Sequence, residues 1–246
     1  MPSGPPNPRW RVPSATLDVM TKVKICGMTN LADAEHAAGL GAWAIGLIHH
    51  SGSARFVEST VAEQIGAALK RRCEVAGVFV NSPMDEVVRA AEREQLTILQ
   101  LHGDEGPSFC AEAARRTGAR VMRAFRVRSG ADVRSAEAFR TDLHLFDAHR
   151  AGVPGGTGET FDWELLAGRR SHVPMVLAGG LTPENVGGAI QMAHPYAVDV
   201  VTGVEAEPGR KDPAKVEAFI EAVRATSGEH EDAARPRRAE AKARAG

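Results

Sequence analysis

Short aliphatic and β-branched runs recur along this chain, separated by turns and, over most of its length, by Ala- and Glu-rich amphipathic stretches. The runs are VKIC (23–26), WAIGLI (43–48), EVAGVFV (74–80), TILQLHG (97–103), ARVMRAF (119–125), LHLFDA (143–148), VPMVLAG (173–179) and AVDVV (197–201). Runs this short behave as strands, and their nearly unbroken hydrophobicity suits parallel strands covered on their outer face by helices. Helix starts agree. Thr60 with Glu63 and Ser82 with Asp85 have capping-box spacing, while Pro83 and Pro183 sit at first-turn positions behind Ser82 and Thr182. Eight such units in about 200 residues predict a single-domain (β/α)8 TIM barrel, with a doubly wound open sheet as the alternative.

The pattern fades at both ends. Residues 1–19 are rich in Pro and polar residues and predict an unstructured extension, with Met20 a candidate start. Residues 20–226 form the expected barrel. Residues 227–246 mix charges with small residues and predict a disordered tail, whose Arg235, Arg237 and Arg238 offer at most a weak anionic contact.

Charge narrows the partners. Thirty Lys and Arg against 31 Asp and Glu leave a net charge of -1, so nothing draws the whole chain to nucleic acid or to an anionic membrane. No apolar run approaches the roughly 18 residues of a membrane span. Three widely spaced cysteines, with no C-x-x-C pair, predict a reducing, cytoplasmic setting. Small-molecule partners are expected, and monomer and homodimer both stay open.

In such a barrel the loops after the strands carry the chemistry. Strand alternation then sorts side chains by direction. Lys24 and Cys26 share one face of their strand; Ile98, Gln100 and His102 share another; so do Leu143, Leu145 and Asp147. If these faces point inward, the mouth holds an amine, a thiol, an amide, an imidazole and a carboxylate, a set hard to explain as packing. Taken singly, a buried cysteine is more often inert core, and a strand-end aspartate more often a helix cap. Cys73 and Cys110 lie in or beside helices and are expected to pack. His49 and His50 are adjacent on an extended segment and point apart, and no H-x-x-x-H lies on a helix, so no metal or other cofactor is expected.

Three glycine-rich stretches follow the late strands: GVPGGTGETFDW, LAGGLTPENV and VVTGVEAEPGRKD. Glu159 stands where a Walker loop needs Lys, and Phe161 stands where a dinucleotide fingerprint needs its last Gly. Loops after strands 7 and 8, with a short extra helix, are the usual phosphate cradle of this barrel. A phosphate ester is the expected ligand.

Taken together, KICGMTN, GVFVN, LQLHGDE, FDA, GGTGETFDW, LAGGLTPENV and AVDVVTGVEAEPGRKD, in this order from about Met20 to Arg224, resemble the phosphoribosylanthranilate isomerase family. The resemblance implies an Amadori rearrangement in tryptophan biosynthesis on a phosphoribosyl substrate. Asp147 would protonate the ring oxygen, Cys26 would remove the C2 proton, and Arg55 would hold the anthranilate carboxylate. Further substrate contacts are expected from Lys24, Gln100, His102, Gly156, Thr157, Gly179, Gly180, Asp199, Thr202 and Gly203. Lys24 is the candidate cation for lowering the Cys26 pKa, since a free thiol is only a few per cent ionised at neutral pH.

Two stretches depart from the family pattern. IHHSGSARF places His49 and His50 where an aromatic platform is expected, and Val201 and Thr202 replace two serines of the phosphate loop. The histidine-pathway isomerase, which runs the same rearrangement on a larger bis-phosphate, is the nearest enzyme alternative, but the first half of this chain lacks a Gly-rich phosphate loop. A non-catalytic phosphate-binding barrel is the alternative from another class, and the presence of both Cys26 and Asp147 argues against it.

Overall fold

The computed structural model describes residues 20–147 and 163–234. Eight parallel strands close into one barrel in sequence order: β1 (Lys22–Cys26), β2 (Ala44–Ile48), β3 (Glu74–Phe79), β4 (Ile98–Leu101), β5 (Arg120–Arg126), β6 (Leu143–Asp147), β7 (Met175–Ala178) and β8 (Ala197–Val200). Closure comes from β1 pairing with both β2 and β8. The helices are α1 (Leu31–Gly39), α2 (Ser59–Leu69), α3 (Met84–Arg93), α4 (Pro107–Thr117), α5 (Gly130–Ser135), α6 (Val186–Ala193) and α7 (Pro213–Ala234). The barrel expected from the eight runs is therefore present. No helix among the described residues is long and apolar enough to cross a membrane.

Alternation divides the core in two. Ile98, Met122, Leu143, Leu145 and Val176 fill the barrel interior, whereas Ile25, Leu47, Leu99, Phe146 and Leu177 point outward into the layer shared with the helices. Because the inward positions are filled low in the barrel, polar inward residues gather at its C-terminal mouth. The opposite end is closed by Arg120 paired with Glu74 at 2.7 Å and by Lys22 Nζ donating to the Tyr196 hydroxyl at 2.8 Å.

Helix starts differ from expectation. α2 begins at Ser59, one residue before Thr60, so Thr60 lies inside the helix and Glu58 occupies the cap without a side-chain bond. Pro83, not Ser82, caps α3, and its carbonyl accepts from Glu86 N at 3.0 Å. Pro183 lies in a turn ahead of α6, where the Asn185 side chain bonds Thr182 N and Gly180 O. A carboxylate does cap α5: Arg128 N and Ser129 N both donate to Asp132 Oδ2 at 2.9 Å. At the C-terminal end α7 runs through Ala234, past the expected limit of the barrel. Residues 1–19 and 235–246 lie outside the described residues. A small antiparallel hairpin, β9 (Glu205–Glu207) and β10 (Arg210–Lys211), follows β8 and was not expected from the strand pattern.

Candidate active site

The seam between β1 and β8 builds the floor of the mouth. Lys24 and Asp199 are register partners, and both point inward. Lys24 Nζ donates to Asp199 Oδ1 at 2.9 Å, with neither side chain more than 5% exposed. Cys26, the next inward residue of β1, is also buried. Gly46 faces it across the β1–β2 pair, and a Cβ there would lie 2.4 Å from Cys26 Sγ. The absent side chain of Gly46 is what makes room for the thiol.

Across the mouth, β4 and β6 supply the other groups. Gln100 Nε2 donates to His102 Nδ1 at 3.2 Å, which leaves the proton on Nε2, 3.5 Å from Asp147 Oδ2. Gln100 Oε1 is buried without a protein partner among the described residues, an acceptor suited to a sugar hydroxyl. Asp147 is partly exposed at the end of β6, where a ligand can reach it.

Burial pushes the Cys26 thiol up, and the Asp199 carboxylate adds to that; Lys24 and Lys211 oppose both. Lys24 thus acts on the thiol in the expected direction, but it does not win. Its charge is shared with Asp199, and the ligand-free site holds Cys26 as a thiol. The Lys24–Asp199 pair is itself coupled: burial opposes both charges, while mutual attraction keeps the Lys24 ammonium firmly protonated. Cys73 and Cys110, as expected, pack against the core, and burial pushes both thiols up to about 11.

A second cluster stands beside Cys26. The Arg55 stem lies over Gly27, which has φ +78 and where a Cβ would meet Arg55 Cδ at 3.0 Å. Arg55 Nε and Nη2 donate to the two oxygens of Glu205 at 2.8 and 2.7 Å. Lys211 Nζ and Gly209 N also donate to Glu205 Oε1, at 3.1 and 3.2 Å. Burial would raise the Glu205 pKa, but the Arg55 hydrogen bonds and the Lys211 charge hold it below the usual carboxylate range. Asp33 Oδ2 accepts from Lys211 N at 2.8 Å and Thr29 Oγ1 donates to Gly209 O, so the hairpin is fastened to the loop after β1 and to the first turn of α1.

The glycines after β7 and β8 form the third part. Gly179 and Gly180 have φ of +97 and +64, a conformation that turns backbone amides into a loop at low cost. A Cβ on Gly203 would lie 2.0 Å from Leu181 O, so the loops after β7 and β8 touch there. Thr202 opens the short 3-10 turn Thr202–Val204. Gly156 and Thr157 lie outside the described residues. Val201 was expected beside the phosphate, but its Cγ1 lies against Gly27, 3.3 Å from where a Cβ would stand. Nor does His49 offer an aromatic platform at the mouth. The His49 ring stacks on Phe79 with centroids 4.8 Å apart, its Nε2 is 2.9 Å from Glu94 Oε2, and this places it in the outer layer of the barrel.

Comparison with known proteins gives these features a family. A model of N-(5'-phosphoribosyl)anthranilate isomerases matches residues 23–222. The chain belongs to the phosphoribosylanthranilate isomerase family. Among isomerases of this name, that of Geobacter metallireducens is 44% identical over 206 residues, covering 84% of this chain and 100% of the relative. The crystal structure of the Thermotoga maritima phosphoribosylanthranilate isomerase superposes with a TM-score of 0.74 at 37% identity, covering 84% of this chain and 100% of that one. A further phosphoribosylanthranilate isomerase structure, holding reduced 1-(o-carboxyphenylamino)-1-deoxyribulose 5-phosphate, superposes at 0.71 with 36% identity and the same coverage. Within this isomerase fold, sequence reasoning did not find Gly46, Glu205 or Lys211 as site residues. Glu205 and Lys211 fall in the quoted run VVTGVEAEPGRKD, but a strand and turn pattern does not reveal that they face Arg55.

Proposed function

We propose that the chain catalyses the Amadori rearrangement of N-(5-phosphoribosyl)anthranilate to 1-(2-carboxyphenylamino)-1-deoxyribulose 5-phosphate, with Asp147 as acid and Cys26 as base. The observation that carries these roles is that a thiol and a carboxylate end β1 and β6 and open onto the same mouth. Asp147 gives its proton to the furanose oxygen as the C1–O bond breaks and the anilino nitrogen forms an iminium. Cys26 then takes the C2 proton, and the C2–H electron pair forms a C1–C2 double bond as the iminium pair returns to the anilino nitrogen. The resulting enolamine becomes the ketone by gaining a proton at C1 and losing that of the C2 hydroxyl. A thiolate is needed to take the C2 proton. The iminium adds a positive charge to those of Lys24 and Lys211, and all three favour ionisation of the buried thiol.

Binding follows from the remaining groups. The Gly179–Gly180 turn and the Thr202–Gly203 backbone offer amides to the phosphate, Gln100 and His102 face the sugar, and Arg55 takes the anthranilate carboxylate. No cofactor is invoked. Because the phosphate does not react, its contacts serve binding more than the barrier.

The test is turnover of N-(5-phosphoribosyl)anthranilate by purified protein, followed as loss of its fluorescence. Wild type should convert it, and Cys26→Ala and Asp147→Asn should each lower kcat by at least about a hundredfold with KM little changed. An inactive wild type would overturn the activity, and near-normal turnover in either variant would overturn that residue's role.

A further inference from the structure

A guanidinium has two edges that can grip a carboxylate with paired hydrogen bonds: Nε with Nη2, and Nη1 with Nη2. In this protein the first edge of Arg55 is taken by Glu205, at 2.8 and 2.7 Å. The second edge has no partner among the described residues. Glu205 is itself held by Lys211 Nζ and Gly209 N, and Lys215 Nζ donates to its backbone oxygen at 3.0 Å. Its position is therefore set by the hairpin and not by Arg55 alone. Arg55, Lys211 and Lys215 against Glu205 and Asp33 leave the cluster with a net positive charge, so Glu205 orients Arg55 without cancelling its attraction for an anion.

We propose that Glu205 is a positioning residue for substrate selection: by occupying one edge of Arg55, it presents the other as a fixed fork for the carboxylate ortho to the reacting nitrogen. The inference deepens the reading of Arg55 as the carboxylate-binding residue and rests on it. Three loops take part, since Arg55 lies after β2, its stem crosses Gly27 after β1, and Glu205 follows β8. A substrate whose carboxylate engages this fork has its anilino nitrogen held next to Cys26. An arylamine without the carboxylate gains nothing from the arrangement.

The experiment compares two substrates, the phosphoribosyl conjugates of anthranilate and of aniline, in wild type, Arg55→Ala, Glu205→Gln and the double variant. The readout is the ratio of the two kcat/KM values. Glu205→Gln should lower the anthranilate-to-aniline ratio by about tenfold or more, the scale of one well-made hydrogen bond to a charged group. The double variant should fall no further than Arg55→Ala, because both substitutions break one unit. Equal losses on both substrates, or losses that multiply in the double variant, would make Glu205 merely structural and overturn the proposal. If Arg55→Ala leaves the ratio at its wild-type value, the Arg55 reading fails and takes this inference with it; if Arg55→Ala collapses the ratio and Glu205→Gln does not, only the inference fails. Should Glu205→Gln not fold, Glu205→Asp is judged by the same ratio, since a carboxylate one methylene shorter cannot span both donors.

Discussion

Lys24 Nζ and Asp199 Oδ1 meet at 2.9 Å across the seam that closes the barrel, one inward position below Cys26. A lysine there without its partner would confront the thiol alone. With Asp199 in place, the cation serves the fold and the base at once, and the thiol stays protonated until further positive charge arrives.

The pair therefore predicts opposite effects from its two halves. Asp199→Asn removes an anion that raises the Cys26 pKa, so the thiol should ionise at lower pH; Lys24→Met removes the cation that opposes burial, so it should ionise at higher pH. Thiolate absorbance across a pH titration measures both when Cys73 and Cys110, whose thiols titrate near about 11, are replaced by Ala so that only Cys26 reports. Each variant leaves one buried group uncompensated and should lose about 3–5 kcal/mol of stability in denaturant titration. Shifts of the same sign in both variants would refute this account of the seam.

Gly46 predicts a steric effect on the same thiol. A Cβ at this position would lie 2.4 Å from Cys26 Sγ and 3.0 Å from Cys26 Cα, and the backbone atom cannot swing aside as a side-chain terminus can. Gly46→Ala should displace the base and lower kcat by about a hundredfold, comparable to losing a general base, while also lowering the melting temperature. Unchanged kcat in a folded Gly46→Ala protein would mean that Cys26 tolerates displacement or is not the base.

The strands, their order and the inward set Lys24, Cys26, Gln100, His102 and Asp147 were legible because period-2 alternation is a local property and barrel closure puts every inward strand end at one mouth. Contacts between distant loops were not. Arg55 and Glu205 are 150 positions apart, and neither carries a periodic signal that would pair them. The capping expectations failed for a local reason: Ser and Thr spacing marks a possible cap, but a one-residue shift in the helix start, as at Ser59, moves the hydroxyl inside the helix. His49 misled because its place in the chain suggested the mouth, whereas alternation from Ile45 and Leu47 puts it on the outer face with Phe79.

His144 predicts the acid limb of stability. It lies on the outer face of β6 among Phe125, Phe139 and Phe146, with Nε2 donating to Phe139 O at 3.2 Å and Nδ1 buried without a partner among the described residues. Burial lowers its pKa to about 4, so the folded state favours the neutral ring. The unfolded chain takes up the proton first, near the ordinary value of about 6.5. Stability is thus fully present above that value and is lost as pH falls from about 6.5 toward 4, by about 3 kcal/mol for a shift of this size. Denaturant titrations of wild type and His144→Leu between those limits should show a shallower decline in the variant. Parallel curves would show that other groups set the acid limb.

Val201 predicts a small effect where the family pattern suggests a large one. A serine hydroxyl on a phosphate oxygen is worth about 1.5–3 kcal/mol, so restoring it would tighten KM by roughly tenfold or more. Val201, however, continues the inward alternation of Ala197 and Asp199, and its Cγ1 lies against Gly27 beside the base. The Lys211 ammonium meets the Val201 backbone oxygen at 3.3 Å, which fixes the main chain here independently of the side chain. A hydroxyl in place of these methyl groups would lie beside Gly27 and the Arg55 stem. Val201→Ser should therefore change KM by less than about threefold, well short of a gained phosphate hydrogen bond, and substrate titrations of both proteins at one pH measure it. A tenfold tighter KM would show that residue 201 reaches the phosphate when substrate is bound.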